Sequence, residues 1–176
     1  MEEKKASIIN YAMHYGAILG LFWAFKYLVY VGASYWEHFI YLYYLLNAGT
    51  FFLIYIFYFR YKESDAEKMK SALQCAVFTI LACFFASFFE GAMIYLHYKF
   101  IDPGYFAQMI HPFTESIEQV KKMDMMSDEE FAESKRILYS IFNNRGTYIF
   151  GKFIGNTFIG LIFGVLIGIL GNKKYN

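Results

Sequence analysis

The sequence predicts an all-α protein: a four-helix transmembrane bundle with an external amphipathic helical insertion between the third and fourth spans. Three observations predict it. Apolar residues make up 58% and aromatic residues 23% of the 176-residue chain, more than a water-soluble domain carries. Charge is packed into short segments rather than dispersed. Between those segments lie four runs long enough to cross a hydrocarbon core, which takes ~20 helical residues. A helix also satisfies its own backbone in lipid. The length suits a single membrane domain, 1–176, with spans at about 8–31, 39–59, 72–96 and 148–170 and the insertion at about 97–147. A net charge of +1 gives no case for a nucleic-acid partner.

The first span is expected to remain as a helix. MEEKK balances acids against bases, Asn10 and His14 interrupt the apolar run, and no A-x-A cleavage site follows. Gly16, Gly20 and Ala24 recur at four-residue steps and mark a close helix contact. The second span contains 51–59 (FFLIYIFYF), which is apolar on every side and leaves no face for water. In the third, Ala72, Ala76, Thr79, Cys83, Ala86 and Glu90 share one stripe, so Glu90 is expected to point inward. Leu81 and Phe88 point the other way, flanked by Val77, Phe78, Phe84, Phe85 and Phe89, and this large apolar side is read as lipid-facing. Cys75 and Cys83 are read as small buried thiols, since a metal needs more ligands.

Ile101-Asp102-Pro103-Gly104 ends the third span. Beyond it Phe106, Met109, Ile110, Phe113, Ile117 and Val120 form the apolar face of a helix that Pro112 is expected to kink or restart. Ser127 and Glu130 predict a capping box for a second helix with Phe131, Leu138, Ile141 and Phe142 on its apolar side. Its polar face is more acidic than basic.

Gly146 to Lys152 in the last span matches all but the final letter of a phosphate-binding loop, G-x-x-x-x-G-K-[ST]. The intervening Thr147, Tyr148, Ile149 and Phe150 are too bulky to curl round a phosphate, and Phe153 replaces the metal-binding hydroxyl. The glycines serve packing instead. Lys152, Asn156, Gly160, Gly164 and Gly168 lie on one row, and Gly151 and Gly155 are expected to open a second groove, placing this helix centrally. A homodimer through such a groove is the sharper alternative to packing within the chain.

Orientation follows from basic residues at the span ends. Lys4 and Lys5, then Arg60, Lys62, Lys68 and Lys70, then Lys173 and Lys174 lie on one side, while the 32–38 turn has none. Both termini are therefore expected to be cytoplasmic and the insertion external.

Charges at membrane depth are costly and usually paired or wet. Glu90 and Lys152 end two small-residue stripes and are expected to meet, with Asn156 beside them. Lys26 lies off the first span's stripe, where snorkelling to the interface is expected and an inward donor role is the alternative. His14, His38, His97 and His111 are scattered, no hydrolase or zincin motif occurs, and neither catalytic residues, a metal nor a cofactor is expected. Few polar groups line the spans, which favours a non-enzymatic accessory or scaffold subunit with a membrane-protein partner or a second copy. The alternative is a small carrier or binder of a lipid head group or anionic solute, built on Glu90 and Lys152 with Lys26 and Asn156.

Four stretches carry a family resemblance over nearly the whole chain: MEEKK, SALQCAVFTI at the head of the third span, the exit HYKFIDPGYFAQMI, and MSDEEF before the glycine-rich last span. In these the chain resembles a bacterial integral-membrane family filed as a domain of unknown function, number forty-one ninety-nine. The resemblance implies four spans and a bacterial inner membrane. It implies no activity and carries over no catalytic residue.

Overall fold

A computed structural model describes residues 7–64 and 70–172. Lys4, Lys5, Lys68, Lys173 and Lys174, on which the orientation rests in part, lie outside the described residues. The elements in order are α1 (Ile8–Gly32), α2 (Phe39–Lys62), α3 (Ala72–Leu96), a π-helical turn (His97–Ile101), α4 (Tyr105–Lys122), α5 (Asp128–Asn143) and α6 (Arg145–Asn172). Among the described residues every element is helical. Four helical segments are long and apolar enough to cross a membrane: Ile8–Gly32, Phe39–Lys62, Ala72–Ile101 and Arg145–Ile169. The contacts group into two units, one of Met1–Met93 with Lys152–Asn176 and one of Ile94–Gly151.

In the first unit, small residues set the helix approaches. A methyl group at Gly16 would lie 2.8 Å from the Ala82 carbonyl oxygen, and one at Gly20 2.8 Å from that of Ala86, so α1 and α3 touch backbone to backbone. Rising numbers meet rising numbers, and the two helices run parallel. On α6, Gly160 meets Cys83, Gly164 meets Ala76 and Gly168 meets Ala72 and Tyr58, so α6 runs antiparallel to α3. The small stripe of α3 is thus shared: Ala72, Ala76 and Cys83 serve α6 and Ala86 serves α1, where Ala82 beside the stripe joins it. Rings fill much of the interior, with Tyr61 stacked on Phe78 at 4.3 Å, and on the exposed side Phe51 of α2 lies against Phe163 of α6 at 4.5 Å.

Two expectations change here. Phe78 is 1% exposed and belongs to the core, because α2 covers the flank of α3 that the sequence assigns to lipid. Gly151 and Gly155 meet nothing within 4 Å, so they open no groove within the chain and α6 is packed on one side. The reason is angular: five residues separate them from Asn156 and Gly160, about 140° round a helix of 100° per residue. Gln74 caps its own helix. Its backbone N–H donates to Ser71 Oγ at 3.2 Å and its Oε1 accepts from the Ser71 N–H at 2.9 Å, a reciprocal cap that starts α3.

In the second unit α4 and α5 form a helical hairpin. Phe113 and Phe142 pack with ring centroids 5.6 Å apart, and Lys135 pairs with Glu118 at 2.8 Å. The capping box forms, with the Ser127 N–H donating to Glu130 Oε2 at 2.8 Å and the Glu130 N–H to Ser127 Oγ at 3.2 Å. Helix α4 runs through Pro112 without a break. A proline there removes one backbone donor and does not prevent helical dihedrals. The Thr114 and Ser116 hydroxyls meanwhile bond the carbonyls of Ile110 and Pro112. Side-chain placement at Phe106 and Met109 lies outside the described residues. Asp124 closes α4 in the left-handed region at φ 53°, where the Met125 N–H bonds the Val120 carbonyl and the Asp124 N–H that of Lys121.

Candidate functional site

Each of the four bundle helices sends polar residues to one layer near the end that carries the 33–38 turn. On α1 the layer begins with packing geometry. Gly20 faces α3 and Lys26 faces α2, and at about 100° per residue Trp23 falls midway between them, about 60° from each. Trp23 therefore points into the bundle, 1% exposed, and its indole Nε1 finds no acceptor among the described residues. Lys26 Nζ stands 5.5 Å from the centre of the Trp23 ring.

Lys26 does not snorkel outward. Its Nζ donates to Asn47 Oδ1 at 3.2 Å and to Thr50 Oγ1 at 3.5 Å, both on α2. The off-stripe position that argued for snorkelling is the side of α1 that packs on α2. Asn47 Nδ2 is in turn held by the Tyr43 carbonyl at 3.0 Å, which fixes its oxygen toward the lysine. The Thr50 hydroxyl donates to the Leu46 carbonyl at 3.3 Å, which leaves lone pairs for Lys26. Thr50 was missed because a span threonine ordinarily bonds the carbonyl four residues back. It does so here and still accepts a second bond.

From α3 comes Glu90, 6% exposed. From α6, Asn156 Nδ2 donates to Glu90 Oε2 at 2.6 Å, one residue pair further along the contact that Gly160 makes with Cys83. Lys152 follows one turn beyond Asn156 on the same row. Lys26 lies within Coulombic range of both Glu90 and Lys152, so the three charges share one environment. The layer thus assembles Lys26, Glu90, Lys152 and Asn156 with Asn47, Thr50 and Trp23.

Elsewhere, both cysteines are buried free thiols. Among the described residues no three His, Cys, Asp or Glu side chains gather as a metal would require. What the layer offers chemically is donors: two ammonium groups, an indole N–H and an amide against a single carboxylate. Such a set favours oxygen-rich anions.

Comparison with known proteins assigns no chemistry to the layer. No curated protein and no solved structure matches it. The family model described as "Protein of unknown function (DUF4199)" matches residues 14–173, which span α1 through α6. The chain belongs to that family of uncharacterised proteins, and its four apolar helices fit a protein of the membrane.

Proposed function

We propose that this is a non-enzymatic membrane protein whose bundle binds an anionic group, a phosphate or carboxylate, at the layer of Lys26, Trp23, Lys152, Asn156 and Glu90. One observation carries the reading: Lys26 stands in the field of both the buried Glu90 carboxylate and Lys152 at membrane depth. Charge inside hydrocarbon is costly, and an incoming anion brings the ammonium groups of this layer an opposite charge. The Trp23 N–H supplies a donor already stripped of water. The anion comes from a lipid head group or a small solute, and in either case it meets the same donors.

The two tryptophans make the test local. A Trp36→Phe protein leaves Trp23 as its sole indole, and in detergent its emission is titrated with inorganic phosphate, with phosphatidylglycerol and with phosphatidylcholine. A saturable change is expected with one or both anionic probes and is lost in a Lys26→Gln, Lys152→Gln protein. Response to phosphate alone identifies a solute, and response to phosphatidylglycerol alone identifies a lipid. No response to either anion, or a response that survives loss of both lysines, refutes the reading.

A second reading, an accessory or scaffold subunit, is supported by the open side of α6. Gly151 and Gly155 there meet nothing within 4 Å, between Ile154 at 57% and Phe158 at 58% exposure. Close helix approach in lipid uses this kind of surface. Cysteine crosslinking at position 155 in native membranes tests it: a second copy gives a dimer band of twice the monomer mass, and an accessory subunit gives a heavier adduct of another mass.

A further inference from the structure

The second unit holds a cavity of about 350 Å³ between α4, α5 and the start of α6. Its wall includes Ile110, Tyr139 and Phe142, and its polar groups include Thr114, His111 and Arg145. Volumes of ~300–1,000 Å³ with apolar walls and a few placed polar groups are typical of small-molecule sites.

Charge pairing singles out one of these groups. Lys121 pairs with Asp128 at 2.7 Å, Lys135 with Glu118 at 2.8 Å and Arg136 with Glu133 at 3.9 Å. His111 Nδ1 stands 3.6 Å from Glu115. Among the described residues no carboxylate pairs with Arg145. Its Cζ lies 4.8 Å from the centre of the Tyr98 ring, a cation–π contact that uses none of its N–H donors as a hydrogen bond to a carboxylate would. That fork matches carboxylate and phosphate oxygens two at a time.

Chain position says which ligand reaches it. Arg145 is the first residue of the fourth candidate span, and the third ends at Ile101, two residues before Pro103 of the cavity wall. The cavity therefore lies where hydrocarbon gives way to head groups. Phe100 and Ile101, 68% and 65% exposed, mark the same level.

We propose that this cavity binds one anionic phospholipid, its phosphate on Arg145 and the start of an acyl chain along Ile110, Tyr139 and Phe142. The overall acidity of α4 and α5 does not oppose this. Most of those acids are spent on neighbouring bases or lie at the start of α5, and a specific fork is not a diffuse adhesive surface. The site is independent of the bundle layer and stands or falls apart from it.

The test uses the full chain in nanodiscs, of phosphatidylcholine alone or with 30 mol % phosphatidylglycerol, followed by hydrogen exchange of peptides covering 105–122 and 139–147. The expected result is exchange at least threefold slower with phosphatidylglycerol. Arg145→Gln abolishes the difference, as does Ala107→Trp, which fills the cavity and keeps the arginine. A Lys26→Gln, Lys152→Gln protein retains it. Equal exchange in the two nanodiscs overturns the proposal, as does an undiminished difference in both cavity variants. Equal protection by inorganic phosphate in pure phosphatidylcholine overturns it too, since the occupant would then be a free anion.

Discussion

Replacing glycines of α6 by alanine, one at a time, separates the packed side of that helix from its open side. At Gly160 the added methyl carbon would lie 2.9 Å from Cys83 Cβ, 3.0 Å from its Sγ and 3.1 Å from the Thr79 carbonyl oxygen. Cys83 Cβ and the Thr79 carbonyl are fixed by the backbone and only Sγ can turn away, so the helices must part by several tenths of an ångström. Overpacking of this kind costs roughly 1–3 kcal/mol. At Gly155 the methyl meets nothing within 4 Å. Both variants gain the same helix propensity, about 0.8–1 kcal/mol. Their difference isolates the steric cost, about 2 kcal/mol, which is roughly thirtyfold in the unfolding equilibrium. Sodium dodecyl sulfate titration of monomeric protein in mixed micelles, read by circular dichroism, measures it. Gly160→Ala is expected to unfold earlier than wild type and Gly155→Ala no earlier. Cys83→Gly removes the obstructing Cβ and Sγ, so a double-mutant cycle with Gly160→Ala is expected to recover about 1 kcal/mol or more of coupling, the scale for touching residues. Gly160→Ala as stable as Gly155→Ala, or an absence of coupling, would refute the α3–α6 contact.

Further expectations concern the polar layer and the hairpin. Glu90→Ala removes the carboxylate that Asn156 bonds and Lys26 feels, and a loss of about 3 kcal/mol is expected in the same titration. Adding Lys26→Met should restore part of it, since a buried charge without its counter-charge causes most of the damage. Thr50→Val removes one acceptor from Lys26 and should cost about 1 kcal/mol. In the hairpin, the carboxyls of Glu118, Asp128 and Glu130 are held below their ordinary values by Lys135, Lys121 and Ser127 respectively. Depressed folded-state values stabilise the fold above the unfolded pKa, and that stability is lost as pH falls through the folded ones. Exchange across 105–143 should therefore be flat from pH 7 to 5, after correction for intrinsic rates, and protection should fall below the ordinary carboxylate range. Asp124→Gly relieves a left-handed residue at φ 53° and should stabilise the hairpin by about 0.5 kcal/mol net of glycine's greater unfolded entropy, read as slower proteolysis of the 123–127 turn.

What the sequence made legible follows from helical period. Row positions on α6 extend from Gly168 through Gly160 to Asn156, and that row does bring Asn156 onto Glu90. Period gives a direction on one helix and is silent about how many neighbours that helix has. Lys26 and Phe78 were misjudged for this reason: α1 and α3 each have a second packed side, against α2, and α2 announces none. Its span is apolar all round, so no stripe marks the side that carries Asn47, Thr50, Ile54 and Tyr58. Gly151 and Gly155 erred the other way, since spacing cannot tell a filled groove from a bare one. Trp23 carries no local signal at all, because an indole in a span reads as apolar bulk until its nitrogen is placed. The capping box at Ser127 and the helix stop at Ile101 were legible because both depend on residues only a few positions apart.

The Glu90–Asn156 hydrogen bond joins residues 66 apart in the chain. At the usual ~5–20 residues per second of ribosomal synthesis, its donor emerges roughly 3–13 s after its acceptor. Through that interval the glutamate must be accommodated by helices already delivered, and Lys26, made 64 residues before Glu90, is the cation waiting there. The first helix thereby brings a counter-charge within range of the acidic side chain before the last helix is made.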